Sequence, residues 1–215
     1  MKRPTITAHA GSMGLPDNTL EAIRAGIEAG ADIVEFDLSF TVGGAPVLSH
    51  DEPQGGEPTL ADAFGILRAH PAIRANIDLK RLSDHLYKVQ PLAEEYGVSD
   101  RIFFTGINED WIPEVRRQCP GVPYYLNRDI DESRFGDEAY YEELAALTAR
   151  VGALGLNIHF SGAHPALSRI LHEAGLELSL WTVDEPDDIR AVLETEPDNV
   201  TTRRPDLTLE IIRKA

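Results

Sequence analysis

Short apolar runs alternate with amphipathic stretches along the whole chain. Residues 5–10, 33–40, 75–80, 102–107, 123–128, 153–160, 177–183 and 199–202 form compact apolar runs bounded by turn residues. Runs of that length and setting predict strands. Between and after them, residues 19–29, 60–69, 83–96, 110–119, 137–151, 165–174, 187–195 and 206–214 repeat their apolar positions at helical spacing, which predicts one helix after each strand. Ala29-Gly30, Tyr96-Gly97 and Ala174-Gly175 read as helix stops, with glycine after the last apolar-periodic residue. Thr59, just before Leu60, is a good N-cap.

Strand–helix units in strict alternation predict a closed parallel barrel with its helices outside, a TIM (β/α)8 barrel forming one domain over residues 1–215. The alternative is an open, doubly wound sheet, but that fold carries a glycine-rich nucleotide loop after its first strand. Here the corresponding turn is His9-Ala10-Gly11-Ser12-Met13-Gly14, which has the wrong context for that role. At 215 residues the barrel is near its lower size limit, so insertions are few. Only the second unit has extra material: a turn and a short added strand within residues 41–50, ending in His50-Asp51, then a Gly/Pro-rich loop over 52–58.

The hydrophobic content of 42% is ordinary for a soluble protein, but a formal charge of −16 bears on partners. It argues against a surface for the polyanionic backbone of nucleic acid. Lysine is confined to Lys2, Lys80, Lys88 and Lys214, so Lys80 inside a strand run stands out. Cys119 is alone, which excludes a disulfide framework and a thiolate metal site and leaves it as a helix-end packing residue. The start runs into the first strand with no signal-peptide apolar region, and no apolar run approaches a transmembrane span. A cytoplasmic protein without stable membrane insertion is expected, and the sequence carries no signal for its oligomeric state.

In such a barrel the active site sits at the C-terminal ends of the strands. Those ends carry His9, Glu35 and Asp37, His50, then Asp78 and Lys80. Later ends carry Thr105, Asn127 or Arg128, Asn157 and His159, Trp181, and Thr202-Arg203-Arg204. Strand side chains alternate, so Glu35 and Asp37 point one way while Val34, Phe36 and Leu38 point the other. Two like charges on an otherwise apolar strand are costly unless something positive sits between them. A hard divalent cation with oxygen ligands is the natural occupant. Asp78, facing that pair, is then a third ligand; the structural alternative is an Asp78–Lys80 pair neutralising itself. His9 alone would read as a hydrogen-bonded strand end, and Trp181 is balanced between packing and function. His159 reads as structural, and His70, His85, His164 and His172 as surface residues on helices or their caps.

Several stretches together resemble the glycerophosphodiester phosphodiesterase family. They are His9-Ala10-Gly11, 16–22 (Pro-Asp-Asn-Thr-Leu-Glu-Ala), 30–37 (Gly-Ala-Asp-Ile-Val-Glu-Phe-Asp) and 46–51 (Pro-Val-Leu-Ser-His-Asp). Asn76-Ile77-Asp78-Leu79-Lys80, Gly155-Leu156-Asn157, Trp181-Thr182-Val183 and Thr202-Arg203-Arg204-Pro205-Asp206 continue the match in order. The resemblance spans nearly the whole chain, and the family fold is a TIM barrel. It implies that His9 and His50 are an acid/base pair and that Glu35, Asp37 and Asp78 bind one divalent cation, Mg²⁺ or Ca²⁺. It also implies that Lys80 contacts the phosphate and that Trp181 packs on the apolar side of a small phosphodiester substrate. The expected reaction is hydrolysis of a glycerophosphodiester to an alcohol and glycerol 3-phosphate, by attack of either water or the glycerol 2-hydroxyl.

The chain departs from the family pattern in several places. The usual His-Arg-Gly has Ala10 in place of the phosphate-holding arginine, and Pro-Glu-Asn-Thr has become Pro16-Asp17-Asn18-Thr19. The third metal carboxylate, usually Glu, is Asp78, and Thr-Asp-Arg-Pro has become Thr202-Arg203-Arg204-Pro205. Because the eighth strand neighbours the first in a closed barrel, Arg203 is expected to supply the guanidinium missing at position 10. The lobe after the second strand is also shorter than the family's, which suggests a more open site. Alternatives are a related phospholipase D-like phosphodiesterase and a catalytically weakened phosphodiester-binding barrel. A Schiff-base enzyme using Lys80 ranks below these, because nearby carboxylates keep an amine protonated.

Overall fold

The computed structural model describes residues 3–214; Met1, Lys2 and Ala215, at the extremes of the expected 1–215 domain, lie outside the described residues. The chain begins with β1 (Thr5–Ala8), α1 (Leu20–Glu28), β2 (Ile33–Phe40), β3 (Pro46–Leu48) and α2 (Leu60–Ala69). It continues with β4 (Arg74–Leu79), α3 (Val89–Tyr96), β5 (Ile102–Ile107), α4 (Ile112–Gln118), β6 (Tyr124–Asn127) and α5 (Glu138–Arg150). The last units are β7 (Gly155–His159), α6 (Pro165–Glu173), β8 (Glu177–Trp181), α7 (Pro186–Leu193), β9 (Asn199–Thr202) and α8 (Pro205–Lys214). All strands but β3 run parallel in the order β1-β9-β8-β7-β6-β5-β4-β2, and β2 returns to pair with β1. That is the closed (β/α)8 barrel the alternation predicts. The added strand β3 lies antiparallel on the end of β2, with Leu38 opposite Leu48.

Alternation along each strand sorts the side chains. Ile6, Val34, Phe36, Leu38, Ile77, Phe104, Leu156, Leu178 and Val200 join the main core, which packs against the helices. Their neighbours face into the barrel, where the buried set is mostly polar: Thr7, Glu35, Asp37, Asn76, Thr105, Asn157, Ser179, Asn199 and Thr201. A separate small cluster of Ile33, Phe103 and Tyr125 plugs the barrel's N-terminal end. The interior above that plug is therefore a hydrogen-bonded polar lining, which a ligand at the mouth can use.

The helix ends follow local chemistry. Thr59 caps α2 in a reciprocal capping box with Asp62, and Gly97 ends α3 at φ 68°, a conformation glycine adopts without strain. The helix expected over 83–96 is instead a 3-10 turn at Leu86–Lys88 followed by α3. Pro91 explains this: it lacks an N–H and its ring collides with the carbonyl four residues back, so a helix starts within a turn of it but does not pass through. Cys119 closes α4 as a buried C-cap residue, as expected. Three of the histidines assigned to the surface are half-buried and structural. His70 Nδ1 lies 2.9 Å from Ile66 O, the His85 ring covers Gly44, and His164 caps α6 by accepting the Ala166 N–H. His172 is exposed and pairs with Asp198 at 2.8 Å.

Candidate active site

Parallel pairing of β2 with β4 sets Asp37 beside Asp78, one strand over and at the same height. Glu35, two residues earlier on β2, shares their face. One oxygen from each of these three carboxylates lies within 4.8 Å of the other two. Glu35 is 5% exposed and Asp37 3%. Burial, and then the charges of Asp37 and Asp78, push the Glu35 pKa well above the usual carboxylate range.

Lys80 answers part of this excess. Its Nζ sits 2.9 Å from Asp37 Oδ1 and 2.5 Å from Asp78 Oδ2. Burial works against the ammonium, but Asp78 and Asp37 outweigh it and hold the Lys80 pKa above its ordinary value. An amine held protonated between two carboxylates is not a Schiff-base nucleophile. Three carboxylates against one ammonium leave two negative charges, the complement of a divalent cation with hard oxygen ligands. Each carboxylate also keeps lone pairs beyond those its protein partners use, so this donor set fits such an ion.

The carboxylates are held by groups that sequence reasoning did not single out. The Ala10 N–H donates to Glu35 Oε2 at 2.8 Å, so the backbone at this position supports the cluster whatever its side chain. Asn18, buried and with φ 62°, donates from Nδ2 to Asp37 Oδ2 at 2.7 Å and accepts the Asp37 N–H at 2.8 Å. The Thr105 hydroxyl lies 2.6 Å from Asp78 Oδ1 and 2.8 Å from Asn76 Oδ1, and its single proton favours the charged acceptor. Asn18 stood within a quoted family stretch and Thr105 at a strand end, so the available signal was position and not residue type.

A cavity of about 270 Å³ opens at the C-terminal mouth of the barrel. His9, Glu35, Asp78, Lys80, Asn157 and Trp181 line it. Burial, then the Arg203 guanidinium, lowers the His9 pKa from its ordinary value. Gly11 N–H points at His9 Nδ1 from 3.3 Å, leaving Nε2 as the ring nitrogen without a protein partner among the described residues. Trp181 meets the His159 ring edge-on at 5.4 Å, and its buried Nε1 has no hydrogen-bond partner among the described residues.

The two expected catalytic histidines do not share one cavity. His50 borders an adjoining hollow of about 530 Å³ with Asp17, Asn18, Ser49 and Asp51. Its Nδ1 lies 3.1 Å from Asp51 Oδ1. Asn18 lines the hollow and binds Asp37, which pairs with Lys80 of the cavity lining. Arg203 also stands apart from the cavity lining. Asp184 accepts from its backbone N–H at 2.7 Å and from its Nη1 at 3.2 Å, while its charge still acts on His9. The β9–β1 pairing, with Thr202 opposite Ala8, brings it to that edge.

The glycerophosphoryl diester phosphodiesterase family model matches residues 9–66 and 78–207. Over an alignment 250 positions long, the chain is 22% identical to a glycerophosphodiester phosphodiesterase of Caldanaerobacter subterraneus, covering 97% of this chain and 98% of that protein. A solved glycerophosphodiester phosphodiesterase of Parabacteroides distasonis superposes with a TM-score of 0.83 at 21% identity, covering 98% of this chain and 97% of that one. An Oleispira antarctica phosphodiesterase, solved in complex with its product sn-glycerol-3-phosphate, gives 0.77 at 20% identity, covering 98% and 97%. With its barrel, its carboxylate cluster and a family match over most of its length, the chain belongs to the glycerophosphoryl diester phosphodiesterase family and is a hydrolase of that family.

Proposed function

We propose that the protein hydrolyses glycerophosphodiesters to an alcohol and glycerol 3-phosphate, using a divalent cation, Mg²⁺ or Ca²⁺, held by Glu35, Asp37 and Asp78. The observation that carries this reading is the convergence of three carboxylates and Lys80 at the edge of a small polar cavity. When bound, the cation would neutralise phosphoryl oxygens and lower the pKa of an attacking hydroxyl.

The chain's own groups supply the rest. Lys80 places a fixed positive charge beside the carboxylates, where equatorial oxygens gain charge in the transition state. Arg203 adds a second positive charge on the His9 side; its lowering of the His9 pKa supports this, while Asp184 engages its side chain through Nη1. His9 and His50 divide the proton transfers: one imidazole takes the proton of the attacking oxygen and the other delivers a proton to the departing alkoxide. That they line different spaces at the barrel mouth supports assigning them to different oxygens of the phosphodiester, as an in-line displacement needs. Trp181 offers an apolar wall to the substrate's carbon skeleton.

The test is turnover of glycerophosphocholine by the purified protein in excess EDTA and after adding back Mg²⁺ or Ca²⁺. Glycerol 3-phosphate should appear only with the cation. Full activity in EDTA would remove the metal from the mechanism. Cation-independent inactivity, alongside retained binding of glycerol 3-phosphate, would favour a binding barrel.

A further inference from the structure

The cavity has a second polar wall, built on β6 and β7. Asn127 ends β6 and is the register partner of Asn157 on β7. The backbone N–H of Gly106 donates to Asn127 Oδ1 at 2.8 Å, and Asn157 Nδ2 donates to the same oxygen at 3.2 Å. An amide's orientation is usually ambiguous, because its oxygen and nitrogen are nearly isosteric. Here a backbone donor cannot be reversed, so Gly106 fixes which end of Asn127 is the oxygen. That oxygen in turn fixes Asn157 with its nitrogen towards Asn127 and its own oxygen left over.

The relay leaves two groups over. Asn127 Nδ2 and Asn157 Oδ1 have no hydrogen-bond partner among the described residues, and neither is sealed from the cavity space. One is a donor and the other an acceptor, and they sit on neighbouring strands of the same wall. A hydroxyl both donates and accepts, so it satisfies such a pair where an apolar group satisfies neither. The space is also small, below the roughly 300–1,000 Å³ of pockets that take drug-sized ligands.

Gly106 is built for this task. Its φ of +74° and the register shift of β5 between Phe104 and Ile107 mark a bulge. A side chain at Gly106 would overlap the Leu79 carbonyl and meet Asp78 Oδ1 at 3.0 Å. Bulges re-aim groups beside active sites, and this one aims an N–H at Asn127.

We propose that Asn127 and Asn157 are specificity-determining residues that hold the terminal hydroxyl of the substrate's glycerol moiety, leaving the 2-hydroxyl to the reacting centre and selecting the glycerol phosphoester over the counterpart that lacks the terminal hydroxyl. This rests on the phosphodiesterase reading above. The wall holds the retained, phosphate-bearing half of the substrate inside the barrel, and the departing alcohol lies outward, near His50.

The experiment compares two diesters that share phosphate, choline and the 2-hydroxyl available for attack: glycerophosphocholine and 2-hydroxypropyl phosphocholine, each with the cation present. The wild-type protein should favour the glycerol diester in kcat/KM by at least about tenfold, since unmatched polar groups in a site penalise the analogue that lacks a hydroxyl. Asn127→Asp keeps an oxygen that accepts from Gly106 and Asn157 but turns the free donor into a charged acceptor, so a hydroxyl there faces two acceptors, while the added charge acts on both diesters alike; Asn157→Ala removes the free acceptor. Both should collapse the glycerol-to-hydroxypropyl ratio towards one, mostly through KM, whatever they do to absolute rates. A wild-type ratio near one, or a ratio unchanged in both variants, overturns the assignment. Thermal stabilisation by glycerol 3-phosphate against 2-hydroxypropyl phosphate separates this from failure of the phosphodiesterase reading. If no diester is turned over, that reading fails, and a larger shift with glycerol 3-phosphate that the charge-neutral Asn157→Ala abolishes still supports the wall. Equal shifts refute it.

Discussion

Glu35→Gln in metal-free protein should stabilise the fold while abolishing its response to divalent cations. Glu35 is buried, with oxygens of Asp37 and Asp78 within 4.8 Å. At that distance and an effective dielectric of about 20, each pair of ionised carboxylates costs roughly 3.5 kcal/mol. The Lys80 attraction is the weaker opposing influence on Glu35 and cancels no more than one of those repulsions. Protonation caps what remains, because holding a proton at pH 7 on a group that ordinarily titrates near 4.3 costs at most about 3.7 kcal/mol. The amide of Gln is neutral, nearly isosteric and still able to accept the Ala10 N–H. A gain of about 3 kcal/mol in EDTA at pH 7 follows. With an unfolding entropy of about 2.1 cal/mol/K per residue, over 215 residues, that raises Tm by about 7 °C. Wild-type protein, in contrast, should gain about 2.7 kcal/mol, or about 6 °C, from a cation at a hundred times its Kd, and Glu35→Gln should gain little.

The sign with pH is set by the raised Glu35 pKa. The folded state binds the proton more tightly than the unfolded one, so wild-type stability in EDTA is full below about pH 4.3 and falls as pH rises towards the folded value, by up to about 1.4 kcal/mol per unit. Glu35→Gln lacks that slope, so its advantage should shrink towards zero near pH 4. Differential scanning calorimetry across pH 4–8, in EDTA and with Mg²⁺ or Ca²⁺, reads all of this. A lower Tm for Glu35→Gln in EDTA at pH 7, or an advantage that does not vary with pH, would refute the account of the cluster.

The remaining predictions separate chemistry from scaffold. His9→Asn and His50→Asn should each lower kcat by about 10²–10⁴-fold while leaving the cation-induced rise in Tm intact; loss of that rise would place the histidine in the metal site instead. Gly106→Ala should destabilise by at least about 2 kcal/mol, since it combines a strained positive φ with overlap on β4. A chemical-denaturation midpoint within error of wild type would show that β5 can relax there.

Much of the architecture was legible from periodicity. Each strand run and helix run has its own hydrophobic spacing, and parallel strands joined by helices have few ways to close. The helix expected from Ser83 was misplaced because spacing alone does not register the steric block at Pro91. Glu35 and Asp37 were legible as a pair because they lie two apart on one strand, within the reach of the local alternation rule.

The rest needed the fold. Asp78 was expected to face the pair from its strand end, but its height beside Asp37 is set by the β2–β4 register, which is a property of two strands, not of either sequence run. His50 and His9 both sit at strand ends, yet the antiparallel β3 delivers His50 to a neighbouring hollow. Arg203 was expected beside position 10; strand pairing sets Thr202 opposite Ala8, and the side chain of Arg203 engages Asp184, from the loop after β8. Asn18, Thr105, Asn127 and Asn157 are ordinary polar residues in sequence; each acquires a role only through a partner 19 to 30 positions away in the chain. Local patterning set the barrel and the pair of carboxylates, because both depend on neighbours along the chain. The completed ligand set, the placement of the two histidines and the oriented amide wall were decided by contacts between strands, which exist only once the barrel has closed.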